Sequence, residues 1–260
     1  MLALLGVLAL TSVAWSPYPP GAMAGPSLSP PSGAHLLGTN GLGQDVLSQL
    51  LAGSAISLLV GLSVGLGATF LGFVIGSAAG YDPKRLGIVL MRTVDVLMAI
   101  PRLPLIILLA VLLRPRLGNV LGVLILLLWP GVARTIRAQV LSIRERDAVR
   151  FVRFSGGGFG YVLRHHLWRE LLPLLMAKAA ATASHAIVAE AGLSFLGLGD
   201  PTLRSWGTMI RSALDYPGIF WTPAWSWWLL PPSLLVSIAV LAFTLMGYAL
   251  EDGMRRMEAA

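Results

Sequence analysis

Residues 54–80 read SAISLLVGLSVGLGATFLGFVIGSAAG, twenty-seven positions without one acidic or basic side chain. A bilayer core of about 30 Å needs about 20 apolar residues at a helical rise of about 1.5 Å each, so this stretch can cross it. The charge-free run extends from Val46 to Tyr81, and the first acidic or basic residue of the chain is Asp45. Ala68, Gly72, Gly76 and Gly80 recur every four residues and line one helical stripe with small side chains, while Gly61 and Gly65 begin another such spacing. Such a stripe lets a second membrane helix approach backbone to backbone. It is expected to be a packing face, either within this chain or towards a second subunit; the spacing leaves both open.

Composition agrees with this reading. Of 260 residues, 56% are hydrophobic and 12% charged, about half the charge of a soluble domain. That excludes a disordered chain and argues against a nucleic-acid binder despite the net charge of +7. Five further spans are expected: Leu2 to Trp15, which is short; Leu86 to Leu113, interrupted by Arg92, Asp95, Pro101, Arg102 and Pro104; Leu117 to about Ile136; Leu171 to Leu193; and about Trp227 to Leu250. Leu2–Val13 followed by Ala22-Met23-Ala24 has the outline of a signal-peptide core and cleavage site, but no basic residue precedes it, and a retained first span is expected. The chain therefore reads as one all-α polytopic membrane domain over 1–260, with about six transmembrane helices and both termini on one side.

The basic residues indicate which side. With the termini inside, Lys84, Arg85, Arg92, the eight arginines from Arg134 to Arg169, Arg255 and Arg256 are cytoplasmic, thirteen against the four of Arg114, Arg116, Arg204 and Arg211 outside. Cytoplasmic loops carry the excess of Lys and Arg, so cytoplasmic termini are expected. Residues 16–45, rich in Pro, Gly and Ser, form an outside segment, and residues 195–226 an outside loop rich in Trp and Pro. Trp206, Trp221, Trp225, Trp227 and Trp228 are expected to anchor near the lipid headgroups.

The most informative polar stretch runs from Arg144 to Pro173, RERDAVRFVRFSGGGFGYVLRHHLWRELLP. A helix reaching Phe154, broken by Gly156-Gly157-Gly158 and followed by an amphipathic stretch near Tyr161, predicts a helix–turn–helix in the cytoplasmic loop 144–172. Phe151, Val152, Phe154 and Phe159 would be needlessly exposed on a merely solvated loop, so a docking element for a soluble partner is expected.

Within the spans, Arg92 and Asp95 are three apart and are expected to form an ion pair on one helix face. Arg102 and Glu190 are candidates for the translocation path, because intramembrane ionisable groups are functional candidates by default; Lys178 is a further charge within a span. The histidines make no convincing metal site: His165 and His166 are adjacent, and neither His35 nor His185 has a partner at ligand spacing. Ser184 and His185 are neighbours, not a catalytic dyad opposed across helices, and cysteine is absent.

Five motifs in order resemble the permease subunits of binding-protein-dependent ABC importers of the dipeptide/oligopeptide/nickel branch. HLLGTNGLGQDVLSQLLAGSAISLLVG (His35–Gly61) is similar to the lead into that branch's second span, with Gly38, Thr39, Gly43 and Asp45 in place. MRTVDVLMAIP (Met91–Pro101) resembles its third-span signature, AEAGLSFLGLG (Ala189–Gly199) with Ser205-Trp206-Gly207 its most distinctive string, and LAFTLMGYALEDGMR (Leu241–Arg255) its C-terminal end. The 144–172 loop resembles the family's EAA loop at Asp147, Arg153, Gly156, Arg164, His165 and Pro173. The match departs where Glu-Ala-Ala falls on Arg150-Phe151-Val152, at Trp168 in place of a proline, and, ahead of the second span, at Gln44 where arginine is common; the departures bear on how the docking helix packs.

The resemblance implies a type I ABC importer permease (MetI-like) fold in a bacterial inner membrane. It implies a non-catalytic subunit paired with a second, homologous permease, two ATP-binding subunits and an extracytoplasmic substrate-binding protein. ATP and Mg would sit on the partners, since this chain has no G-x-x-x-x-G-K-[ST] loop. Coupling to the ATPases would fall on Asp147, Ala148, Arg150, Phe151, Arg153, Gly156, Gly157 and His165. Di- or oligopeptides are the expected cargo, with nickel or another small solute as the alternative; a channel or an intramembrane enzyme would lie outside this class.

Overall fold

The computed structural model describes residues 16–156 and 158–259; the expected first span, Leu2–Trp15, lies outside them. Helix α1 (Val46–Tyr81) is the central rod of the bundle. Its 36 residues extend for about 54 Å, well beyond an apolar core of about 30 Å. Asp45 caps it, accepting from Ser48 N at 2.8 Å and Ser48 Oγ at 2.7 Å. This satisfies one of the backbone donors that a helix start leaves without an internal partner.

The glycine stripe decides how α1 packs. A Cβ on Gly72, Gly76 or Gly80 would meet Val132, Ala133, Ile136 or Val140, all on α4 (Leu117–Arg144). The partner of this face is thus inside the chain. Gly61 and Gly65 give a second close approach, against Ala179, Ala183 and Ile187 of α7 (Trp168–Phe195). Two small-residue faces on one helix place α1 between α4 and α7 at near-backbone contact.

The expected third span is not one rod. It divides into α2 (Leu86–Ala99) and α3 (Arg102–Leu112), bent by 87° at Ile100-Pro101. Ile100 is extended, at φ −81° and ψ 131°, because a following proline disfavours the helical region. The 14 and 11 residues of these helices reach about 21 and 16 Å, so neither crosses a bilayer alone. The four unbroken candidate spans are Val46–Tyr81, Leu117–Arg144, Phe159–Phe195 and Trp225–Gly253, and the bent pair makes a fifth if it counts as one. Pro130 and Pro173 sit inside α4 and α7 without dividing them.

At one end of the bundle, residues 16–45 join α8 (Trp206–Leu214), α9 (Trp225–Trp228) and the start of α10 (Leu230–Ala259). The segment is irregular, with isolated bridges at Met23–Gln44 and Thr39–Asp45, but its buried polar side chains, His35, Thr39, Asn40, Gln44 and Asp45, all have hydrogen-bond partners. Asn40, Gln44 and Gln49 are buried together, with Asn40 Nδ2 donating to Gln44 Oε1 at 2.9 Å and Gln49 Nε2 donating to the same oxygen at 2.6 Å. His35, expected to have no carboxylate nearby, contacts Asp45 Oδ1 through Nδ1 at 2.9 Å. The positive φ of Gly38 and Gly43 folds the chain back far enough to bring these positions together. Asp200 binds Leu117 N at 3.1 Å, capping α4 from a loop 83 residues away in sequence.

The tryptophan reading needs correction. Trp206 is fully buried and Trp228 is buried, both in the apolar cluster under this end; Trp221 is 93% exposed and Trp225 is exposed. Trp227 is partly buried and donates from Nε1 to Thr39 O at 3.3 Å. Indoles in this string knit the loops onto the bundle as well as facing outward.

Candidate functional site

At the opposite end, α4 runs two turns past the expected limit at Ile136, carrying Arg134, Arg137 and Arg144 on a helix and not in a loop. Helix α5 (Asp147–Phe154) follows, with Asp147 as an acidic residue in its first turn, where negative charge meets the positive end of the helix dipole. Val149 is buried and Val152 partly buried against Ile143, Val162, Leu167 and Leu171. Phe151 and Phe154 face the other way, 73% and 86% exposed. Ala148 and Arg150 are exposed on the same helix. Gly157 and the Arg153 side chain lie outside the described part.

Gly156 ends this element at φ +85°, with open space where a Cβ would stand. Its role is therefore conformational: the left-handed turn costs an L-residue with a side chain about 1–2 kcal/mol. The chain re-enters helix at α6 (Phe159–Val162), passes a π-helical turn at Leu163–Leu167 and continues directly into α7. π turns occur frequently at functional sites. Here one carries Arg164, His165 and His166. His165 Nδ1 lies 3.0 Å from Tyr161 O, and its ring stacks on Tyr161 at 4.3 Å.

Ring contacts help seat the elbow at 144–172 on the bundle, and an ion pair braces it internally. Tyr81, at the end of α1, meets Phe159 with ring centroids 5.0 Å apart, and Phe73 meets Trp168 edge-on at 5.6 Å. Arg146 donates to Glu170 Oε2 at 2.6 Å, closing the elbow across its base. Glu170 was not singled out by motif; it is one of three acidic residues, with Glu145 and Asp147, in a stretch that holds eight arginines, and the sequence does not say which arginine it meets. An open cleft lined by Tyr81, Arg144, Glu145, Arg150 and Phe154 lies beside α5.

Among the charges within the spans, the pair expected from helical spacing does not form. Asp95 accepts from Arg134 of α4, not from Arg92, which is exposed. Packing of α2 on α4 brings Arg134 to Asp95, so the tertiary pair replaces the one read from helical spacing. Lys178 pairs with Glu251 Oε1 at 3.0 Å, joining α7 to α10. Arg102 is exposed at the first turn of α3, with its guanidinium beside Gly131. Glu190 faces the interior: it is 4% exposed and accepts from Ser194 Oγ at 2.6 Å.

The architecture is that of a polytopic helical permease presenting an amphipathic elbow at one end of its bundle. The chain belongs to the family described as the binding-protein-dependent transport system inner membrane component, which it matches over residues 72–256. It is 39% identical over 256 residues to the nickel transport system permease protein NikC of Escherichia coli (strain K12), covering 97% of this chain and 90% of that protein. It is 37% identical over 245 residues to a Brucella suis protein named provisionally as a peptide permease, covering 94% and 80%. A second Brucella suis protein, named provisionally as a peptide transport system permease, is 36% identical over 86% of this chain and 74% of its own length. The chain is therefore the membrane permease component of a binding-protein-dependent transport system.

Proposed function

We propose that this chain is one half of a two-subunit, ATP-driven import permease, with the elbow at 144–172 seated in a groove on an ATP-hydrolysing partner. The observation that carries this is the opposed burial of α5: Val149 fixes it to the bundle while Phe151 and Phe154 project among exposed charges. Large apolar side chains held outward on an anchored helix suit a protein partner that buries them. The arginine-rich end then faces the cytoplasm, in keeping with the excess of basic residues there. Residues 16–45 and 195–226 face outward, where a substrate-binding protein would dock. ATP and Mg belong to the partner, and this chain contributes no catalytic group.

Closure of the ATPases on ATP would move the elbow, and α7, continuous with it from Phe159 to Phe195, would carry the displacement through the membrane. Free energy enters as contacts that differ between the two states. For cargo we favour di- or oligopeptides, as in the names of the Brucella relatives. Nickel is the second reading, because the Escherichia coli nickel permease matches nearly the whole chain.

The test is purification from native membrane in mild detergent, with mass spectrometry and an ATPase assay on the eluate. A second permease and an ATPase should co-purify, and uptake should stop in Gly156→Val although that variant still inserts. A chain that elutes alone, or normal uptake by Gly156→Val, would overturn the docking assignment.

A further inference from the structure

Glu190 is a carboxyl group inside a membrane-spanning helix, 4% exposed, and the partners it has are hydroxyls. Ser194 Oγ donates to its Oε1 at 2.6 Å, and Ser57 Oγ of α1 lies 3.5 Å from Oε2. Ser57 Oγ also accepts from the backbone N–H of Trp206, the first residue of α8, at 3.2 Å. The Trp206 indole donates to Ser54 Oγ at 3.2 Å. One carboxyl group thus links α1, α7 and the loop helix α8. Backbone approach at this junction is close: a Cβ on Gly207 would lie 2.6 Å from Ala191 O, and one on Gly199 would lie 2.2 Å from Ser194 Oγ. Ser205 caps α8 in a reciprocal capping box with Thr208, so α8 is itself a defined unit.

Burying a carboxyl group with only hydroxyl partners is unfavourable compared with a well-packed apolar residue of similar volume. Simple packing of α8 on α7 therefore does not account for Glu190. What an apolar residue cannot do is hold three elements in one orientation through directional bonds. The element it holds is continuous with the other end of the molecule, since α7 belongs to one unbroken helical run from Phe159 to Phe195. From Phe159 to Glu190 that run spans about 46 Å.

We propose that Glu190 is a positioning residue that locks loop helix α8 to α1 and α7, so that docking of the substrate-binding protein on the 195–226 loop is transmitted along α7 to the elbow at 144–172. This rests on the import reading above. The lock is required at the moment when an event outside must be felt by ATPases inside. It plays no part in hydrolysis itself.

The test uses the complete transporter in proteoliposomes and measures ATP hydrolysis with and without substrate-loaded binding protein. In Glu190→Ala the ratio of stimulated to basal hydrolysis is expected to fall about tenfold, within the range of coupling between two sites. Glu190→Gln, which can accept from Ser194 and donate to Ser57, should restore most of it. Ser57→Ala removes the bridging hydroxyl with little change of volume and should lower the ratio as Glu190→Ala does, which keeps the test open should the latter not accumulate. A normal ratio in both Glu190→Ala and Ser57→Ala overturns the proposal. So does a parallel fall in basal and stimulated rates, which marks general destabilisation. A higher half-saturating concentration of binding protein with full maximal stimulation also overturns it, since docking and not transmission would then be affected. Failure of the import reading looks different: wild-type chain would then bring down no ATPase.

Discussion

Replacing Gly76 by alanine places a methyl group in the seam between α1 and α4. Its Cβ would lie 2.6 Å from Ala133 O and 2.9 Å from Ile136 Cβ. Carbon contacts settle near 3.5–4.0 Å, so a gap of about 1 Å must open. The atoms in the way are a backbone oxygen and a Cβ, which no rotamer change can move, and Gly72 and Gly80 clamp the seam one turn above and below. Overpacking of this kind costs about 1–3 kcal/mol. Against it stands the helix preference of alanine over glycine, about 1 kcal/mol. Gly122, on α4, isolates that second quantity, because a Cβ there has nothing within 4 Å. Gly122→Ala should therefore be neutral or stabilising by up to about 1 kcal/mol, while Gly76→Ala should be less stable than it by about 1–3 kcal/mol. At about 2–4 °C per kcal/mol for a chain of this size, the two variants should melt roughly 2–12 °C apart in detergent. Equal melting temperatures would refute the claim that this seam is packed to backbone contact within one chain.

Two further outcomes follow from particular contacts. Lys178→Met leaves Glu251 without its cation and should cost about 1–2 kcal/mol, less than the 3–5 kcal/mol of fully buried pairs, because the partners are 27% and 31% exposed; Lys178→Met with Glu251→Leu should recover most of that in a melting assay, and a double variant no better than the single would count against the pair. The Asp200 carboxyl is held below its ordinary value of 3.8 first by the Thr202 hydroxyl, with the backbone N–H groups of Thr202 and Leu117 and the charge of Arg116 adding to it. A depressed carboxyl contributes stability above its unfolded value and loses it as pH falls through the folded value. Asp200→Asn should therefore lower the melting temperature at pH 6, and the difference from wild type should shrink once the pH drops below 3.8; a gap that stays constant would mean the contact is not carried by the charge.

Much of the candidate site was legible in the sequence because its signals are local. The end of α5 at Phe154 and the turn at Gly156 follow from a glycine run after an amphipathic stretch, and φ +85° at Gly156 is a property of one residue. The ion pairs were not legible. Arg92 and Asp95 share a helix face, yet Asp95 turns to Arg134, 39 residues away, because interhelical packing and not spacing decides which charges meet. Trp206 reads as an interfacial anchor from its company of tryptophans, and only the seating of α8 against α1 and α7 buries it.

The sequence by itself determined that the chain is a bundle of membrane helices, since a run of apolar residues as long as Val46–Tyr81 has no other way to satisfy its backbone in lipid. It also determined where the amphipathic elbow lies, because amphipathicity and glycine breaks act within a few residues. The tertiary structure alone decided that the Gly72-Gly76-Gly80 face meets α4 and not another subunit, and that Pro101 bends the third span by 87°. It also assigned Glu190 to a junction of three elements. These depend on which surfaces are complementary across dozens of residues, and a one-dimensional pattern that fixes the period of a helix does not fix its neighbour.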